Sequence, residues 1–175
     1  VMTGMSPAAQ AYAEGAVART LKSLANKRRP TLEAGLVLTD VHDGDVLAVV
    51  GSRNVSQPGF NRAVEAQRPV GSLLKPFVYL LALAQPDNYS LASFVDDSPV
   101  TVQLGKGKRW TPGNSDNRSH GSVRLIDALA YSYNQATVRI GMKVDPERLS
   151  GLIRVLAGIK SDPNPSLILG ATDQS

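Results

Sequence analysis

The sequence predicts an α+β fold, an antiparallel sheet flanked by helices with one helix buried at the centre. Three stretches carry the prediction. Residues 73–84 are almost wholly apolar and read as a helix covered on most of its faces. Glu33–Val41 and Val46–Gly51 alternate and are rich in Leu and Val, and His42-Asp43-Gly44-Asp45 between them supplies turn chemistry, so they form a β-hairpin. Beyond residue 121, Ser122–Tyr131, Asn134–Lys143 and Leu149–Gly158 read as short helices.

The remaining elements follow in chain order. Ser6 caps a first helix with Pro7 at its first position, and the Ala-rich sequence carries it to about Asn26. The basic run Lys27-Arg28-Arg29-Pro30 falls where that helix ends and complements its negative terminus. Residues 52–70 are a polar excursion with Pro58-Gly59, and Pro86-Asp87-Asn88 stops the buried helix. Residues 87–121 are loop and short extended pieces. Within them Val100–Leu104 and Lys108–Thr111 flank Gly105-Lys106-Gly107 as a small hairpin. That Gly-x-Gly lacks a third glycine and a following helix, so it is no phosphate loop. Trp110 is expected to pack within its hairpin, and Pro163–Pro165 breaks the last helix.

Composition sets the outer limits. A chain of 175 residues fits one domain, and 42% hydrophobic with 19% charged residues is ordinary globular composition. The longest apolar run, Phe77–Ala84, is far short of the roughly 20 residues a membrane-spanning helix needs. Val1–Gln10 carries no signal-peptide pattern. There is no cysteine, hence no disulfide framework or thiolate metal site. The net charge of +4 comes from scattered basic residues, which argues against nucleic acid as a partner.

Two stretches carry chemistry. Ser72 and Lys75 open the buried helix three residues apart, so their Cβ atoms fall roughly 5–6 Å from each other on one face. A serine hydroxyl needs a base to become a nucleophile, and a lysine serves once desolvation disfavours its ammonium form. Leu73, Leu74, Phe77 and Val78 around Lys75 favour that, while unpaired N–H groups at the helix start favour a developing oxyanion at Ser72. An N-cap serine beside a solvated lysine would give the same pattern. The second stretch is Tyr131-Ser132-Tyr133-Asn134. On a regular helix Ser132 and Asn134 would point about 200° apart, so they act together only at a break between helices. There the hydroxyl can relay a proton and the amide can hold a peptide carbonyl.

Other chemistries lack their parts. His42 in a turn and His120 in a polar loop are expected at the surface, and no Gly-x-Ser-x-Gly elbow occurs, so no Ser-His-Asp triad is predicted. Two histidines without cysteines do not make a zinc site. Asp96-Asp97 is expected to cap or solvate a loop. No cofactor is expected.

Ser-x-x-Lys followed 60 residues later by Ser-x-Asn resembles the penicillin-interacting serine acyltransferases. The flanks sharpen this: Gly59-Phe60-Asn61-Arg62-Ala63, Arg68-Pro69-Val70-Gly71 before Ser72, Trp110-Thr111-Pro112, and Asp127-Ala128-Leu129 before Ser132 are similar to the transpeptidase domain of bifunctional class A penicillin-binding proteins. The resemblance runs from about Leu32 to Ser175, with residues 1–30 as a leading segment and 31–175 as the N-terminal portion of the domain. It implies a peptidoglycan DD-transpeptidase on the periplasmic face of a bacterial inner membrane, anchored by a segment outside this chain. Ser72 would attack a D-Ala-D-Ala stem peptide, with Lys75 as base, Ser132 as proton relay, Asn134 holding the acyl chain, and the Ser72 N–H giving half an oxyanion hole. The implied partners are peptidoglycan stem peptides, β-lactam antibiotics that acylate Ser72, and an upstream glycosyltransferase domain.

One family feature is missing. No Lys-Thr-Gly or Lys-Ser-Gly occurs; Lys160-Ser161 is followed by Asp162. Gly170–Ser175 reads as the middle of a domain, so little or no turnover is expected of this chain alone. Two other readings stand beside the transpeptidase. One is a β-lactam hydrolase or sensor, which needs a water-activating carboxylate where only Glu147, a helix first-turn residue, follows Ser72 as glutamate. The other is a non-catalytic scaffold retaining the motif.

Overall fold

Ser6 caps the first helix as its sequence requires, its Oγ accepting from the Ala9 N–H. In the computed structural model, which describes residues 3–26, 31–55, 59–104 and 107–171, this helix is α1 (Pro7–Leu24). The basic run 27–30, Pro58, Gly105-Lys106 and residues 172–175 lie outside the described residues. The chain forms two compact units, Val1–Gln67 and Arg68–Ser175.

In the first unit β1 (Leu36–Thr39) and β2 (Val46–Val50) pair antiparallel, with an irregularity between Leu38 and Thr39. Their turn is built by Asp side chains: the His42 N–H donates to Asp40 Oδ1 and the Asp45 N–H to Asp43 Oδ1, while Gly44 takes a φ of 80°. α1 packs Ala13 and Val17 on Ala48 and Val50. Gln10 fixes the contact by donating from Nε2 to the Val49 carbonyl and accepting the Val49 N–H at Oε1, each at 2.9 Å. Its amide thereby occupies the open edge of β2 much as a neighbouring strand would.

The second unit is organised around α2 (Lys75–Leu83), entered through a 3₁₀ turn at Gly71–Leu74. Val78, Tyr79 and Ala82 of α2 are buried against Leu125 and Ala128 of α3 (Leu125–Ala130), Ala136 and Ile140 of α4 (Asn134–Val144), and Leu149 and Ile153 of α5 (Pro146–Ala157). A second 3₁₀ turn, Pro165–Leu169, closes the core with Leu167 and Ile168. Four short strands complete the unit: β3 (Phe94–Asp96) pairs antiparallel with β6 (Ser122–Arg124), and β4 (Val102–Gln103) with β5 (Arg109–Trp110).

Three expectations change. Ser122–Arg124 is strand, not the first turn of a helix, because it finds Phe94–Asp96 as a hydrogen-bonding partner, and α3 starts only at Leu125. The antiparallel sheet is present as three two-stranded pieces among the described residues, where the sequence shows one clear hairpin and one small one. The small hairpin forms as predicted, and Trp110 packs partly buried against the core. α5 begins at Pro146, three residues before the predicted Leu149, since Asp145 caps it by accepting the Glu147 N–H.

Candidate active site

The break between α3 and α4 is real, and Ser132 occupies it with a φ of 57°. This left-handed backbone is uncommon for a residue with a Cβ. It is held at both sides, for the Ser132 N–H donates to the Leu129 carbonyl and the Tyr133 N–H to the Ala128 carbonyl. α4 then starts at Asn134. Ser132 and Asn134 therefore present their side chains to the same place, which a continuous helix would forbid.

That place is the amine of Lys75. Its Nζ donates to the Ser132 carbonyl at 2.5 Å, to Ser132 Oγ at 2.9 Å and to Asn134 Oδ1 at 2.6 Å. Ser132 Oγ in turn donates to Ser72 Oγ at 3.2 Å. The four residues singled out from the sequence are thus joined in one hydrogen-bonded set. Their connectivity is the new information: the partner of Ser72 Oγ is Ser132 Oγ, which stands between the nucleophile candidate and the amine. Ser72 sits on the 3₁₀ turn, exposed, and Lys75 is the first residue of α2, 1% exposed.

Burial lowers the Lys75 pKa from 10.5 to about 8, and the negative charge of Asp97 holds it from falling further. The three contacts match the three protons of an ammonium. In the neutral amine one contact must reverse, and of the three oxygens only Ser132 Oγ carries a proton to give back. The hydroxyl chain then points from Ser72 through Ser132 to Lys75. Burial also raises the Tyr79 phenol to about 12, so it stays neutral; its OH shares a hydrogen bond of 3.2 Å with Thr137 Oγ1.

Residues 97, 114 and 120 form a second layer behind the site, a role the sequence did not point to. Asp97, 0% exposed, accepts from the Ala136 N–H at Oδ1 (3.0 Å) and from Asn114 Nδ2 at Oδ2 (2.6 Å). His120 meets the same Oδ2 with its N–H at 3.2 Å and with Nδ1 at 2.7 Å. Asp97 thus caps, as one of its two expected roles, but the helix it caps is α4 and it is buried rather than solvated, while His120 is only partly exposed rather than a free surface residue. With β3 and β6 paired, both lie at the start of α4, Asp97 on the Ala136 N–H and the His120 ring stacked on Tyr133 with centroids 3.9 Å apart. Asp96 behaves as expected, taking the Ser98 N–H and hydroxyl. His42 is exposed in its turn. The one available hint was Asn114, two residues beyond Trp110-Thr111-Pro112.

A serine hydroxyl, a second hydroxyl and a buried amine of lowered pKa, in line, are the parts of a serine acyl-transfer site. Residues 34–156 match the penicillin-binding protein transpeptidase domain. Over 174 residues the chain is 40% identical to penicillin-binding protein 1B of Vibrio cholerae, covering 98% of this chain and 22% of that protein. It is 36% identical over 178 residues to penicillin-binding protein 1B of Escherichia coli K12, covering 98% and 21%. Its fold is similar to the crystal structure of penicillin-binding protein 1A from Haemophilus influenzae, with a TM-score of 0.74 at 32% identity over 82% of this chain and 22% of that one. It is also similar to PonA1 of Mycobacterium tuberculosis, with a TM-score of 0.77 at 28% identity over 98% and 45%. PonA1 has also been solved in complex with penicillin V. The chain belongs to the penicillin-binding protein transpeptidase family, with class A proteins of the 1A and 1B type as its relatives, and spans 22% and 21% of the two 1B proteins.

Proposed function

We propose that this chain carries the acylating residues of a peptidoglycan DD-transpeptidase, with Ser72 as nucleophile. The observation that carries the reading is the line Ser72 Oγ–Ser132 Oγ–Lys75 Nζ, with spacings of 3.2 and 2.9 Å. With Lys75 neutral, Ser72 Oγ bonds to the carbonyl carbon of the penultimate D-alanine. Its proton passes to Ser132 Oγ while the Ser132 proton passes to Lys75 Nζ. When the tetrahedral intermediate collapses, the C–N bond breaks and the departing D-alanine nitrogen takes a proton back along the same line. An acceptor amine of a neighbouring strand then attacks the Ser72 ester and regenerates the hydroxyl. A β-lactam presents its ring amide to the same Ser72 and leaves a penicilloyl ester.

Asn134 is the substrate-binding residue of this scheme. One Nδ2 hydrogen goes to the Gly113 carbonyl at 2.7 Å, which turns Oδ1 toward Lys75 and leaves the second hydrogen for an acyl-chain carbonyl. The Ser72 N–H supplies part of the oxyanion hole. Residues 31–175 are the N-terminal portion of the transpeptidase domain, residues 1–30 its leading segment, and a Lys-Thr-Gly strand and an upstream glycosyltransferase domain belong to the parent polypeptide. No helix among the described residues is long and apolar enough to cross a membrane. The proposed location is the periplasmic face of the inner membrane, through an anchor elsewhere in the parent.

A hydrolase is disfavoured by its carboxylates. Glu147 stands exposed on the first turn of α5, and the oxygens of Asp97 are already taken by Asn114, His120 and Ala136. The test is intact mass after incubation with a penicillin, on this chain and on the full-length parent, each with Ser72→Ala. The expected result is one drug mass on the parent, absent in Ser72→Ala and persisting for hours. No adduct on the folded parent would sink the reading in favour of a scaffold, and loss of the adduct within seconds would favour a hydrolase.

A further inference from the structure

We infer that Asn114, held by the buried Asp97, is a positioning residue that clamps the start of α4 and thereby sets Ser132 and Asn134 against Lys75 and Ser72. The inference rests on the transpeptidase reading.

A helix leaves its first N–H groups without intrahelical partners, and a side chain at the N-cap usually accepts one of them. The N-cap of α4 is Tyr133, whose side chain makes no such bond. The partners come instead from a distant stretch. Asn114 Oδ1 accepts the Asn134 N–H at 2.6 Å and the Gln135 N–H at 3.2 Å, and Asp97 Oδ1 accepts the Ala136 N–H at 3.0 Å. Three successive N–H groups are therefore held from outside the helix by two side chains, 5% and 0% exposed, that bond to each other at 2.6 Å.

The clamp grips the functional residue twice. Asn114 holds the backbone of Asn134, and the residue before it, Gly113, holds the Asn134 amide through its carbonyl. With Nδ2 committed there, Oδ1 is turned to Lys75 Nζ. Ser132, two residues upstream in its left-handed conformation, has no room to relax while α4 is pinned at its first turn. Asn114 is itself fixed by a second donated bond, from Nδ2 to the Arg118 carbonyl at 2.8 Å. The Asp97 carboxylate needs all of its donors, since a buried charge with a partner removed is strongly unfavourable. The layer thus ties Asn114 and Asp97 to each other and to the first turn of α4, and the placing of Asn134 against Lys75 follows from it.

The test uses the full-length protein carrying this chain. Asn114→Ala removes the clamp. Asn114→Asp sets two carboxylates against each other, and adding Asp97→Asn restores an amide–carboxylate pair with the roles exchanged. Ile153→Val, in the core on α5, is the stability control. Measured are the acylation rate at saturating penicillin, the apparent Kd for the drug, the thermal midpoint, and amide hydrogen exchange of the segment 132–136. For Asn114→Ala the acylation rate is expected to fall about 10- to 100-fold, as for a small misplacement of reacting groups, with Kd little changed and exchange at 134–136 accelerated. The double variant is expected to regain only part of the rate lost by Asn114→Asp, because the Arg118 carbonyl then faces a carboxylate and the His120 N–H faces an amide NH₂. The inference is overturned if exchange at 134–136 is unchanged in Asn114→Ala, or if its acylation rate falls no more than that of Ile153→Val. A parent protein that never acquires a drug adduct would sink the transpeptidase reading and this role with it; the exchange result, which needs no drug, tells the two failures apart.

Discussion

The pH dependence of acylation should report Lys75. Burial brings its pKa from 10.5 to about 8, which raises the neutral fraction at pH 7 from about 0.03% to about 9%, a gain of about 300-fold. Only the neutral amine can receive the proton that Ser72 passes through Ser132. Acylation of the full-length protein by a penicillin should therefore climb about tenfold per pH unit below about pH 7, bend at about pH 8 and level off by about pH 9, with the drug's apparent Kd flat across the range. Asp97 raises this pKa, so Asp97→Asn should move the bend to lower pH even where it slows the plateau rate. A stopped-flow measurement of penicilloyl formation between pH 5.5 and about 10 reads both quantities. A profile that is flat, or that keeps rising beyond pH 10, would refute Lys75 as the base. The stability linkage has a definite sign. Between about 8 and 10.5 the unfolded chain binds a proton at Lys75 that the folded chain does not, so this lysine's cost to the fold is full below pH 8 and disappears as pH rises through that window.

Three substitutions probe the rest of the arrangement. Ser132→Ala cuts the line between Ser72 and Lys75 and should slow acylation about 10²–10⁴-fold at nearly unchanged drug affinity, by the same stopped-flow assay. Tyr79→Phe removes the hydroxyl that bonds Thr137, which still donates to the Tyr133 carbonyl; denaturant unfolding should show a loss of about 0.5–1.5 kcal/mol with acylation preserved. Gly170→Ala meets two obstacles, a φ of 68° and a Cβ directed into the backbone of Gly71. The left-handed backbone alone costs about 1–3 kcal/mol, and because Gly71 donates its N–H to the Gly170 carbonyl, the displaced turn is the one bearing Ser72. Both the thermal midpoint and the acylation rate should fall; an unchanged midpoint would contradict the packing.

The four residues of the candidate site were legible in the sequence because each carries a local signature. Ser72 and Lys75 are bound together by helix spacing, and the apolar run after them favours a desolvated amine, which the burial of Lys75 in the fold supplies. Ser132 and Asn134 declare a helix break, since they can cooperate only if the helix stops there. The capped helix α1 and the hairpin β1–β2 were equally local, resting on Ser6-Pro7 and on the Asp-Gly turn. What the tertiary structure decided is everything that depends on separated segments meeting. Ser122–Arg124 is strand only because Phe94–Asp96 is its neighbour. Asp97, Asn114 and His120 look like loop residues because nothing near them in sequence needs a buried carboxylate or amide. Asp97 and Asn114 find their partners in the first N–H groups of α4, up to 39 residues away, and His120 finds its own in Asp97 and the Tyr133 ring. The order of the hydrogen-bonded line is tertiary as well. Spacing along one helix suggests that Lys75 faces Ser72 directly, whereas the fold brings Ser132 from another chain segment and sets its hydroxyl between them.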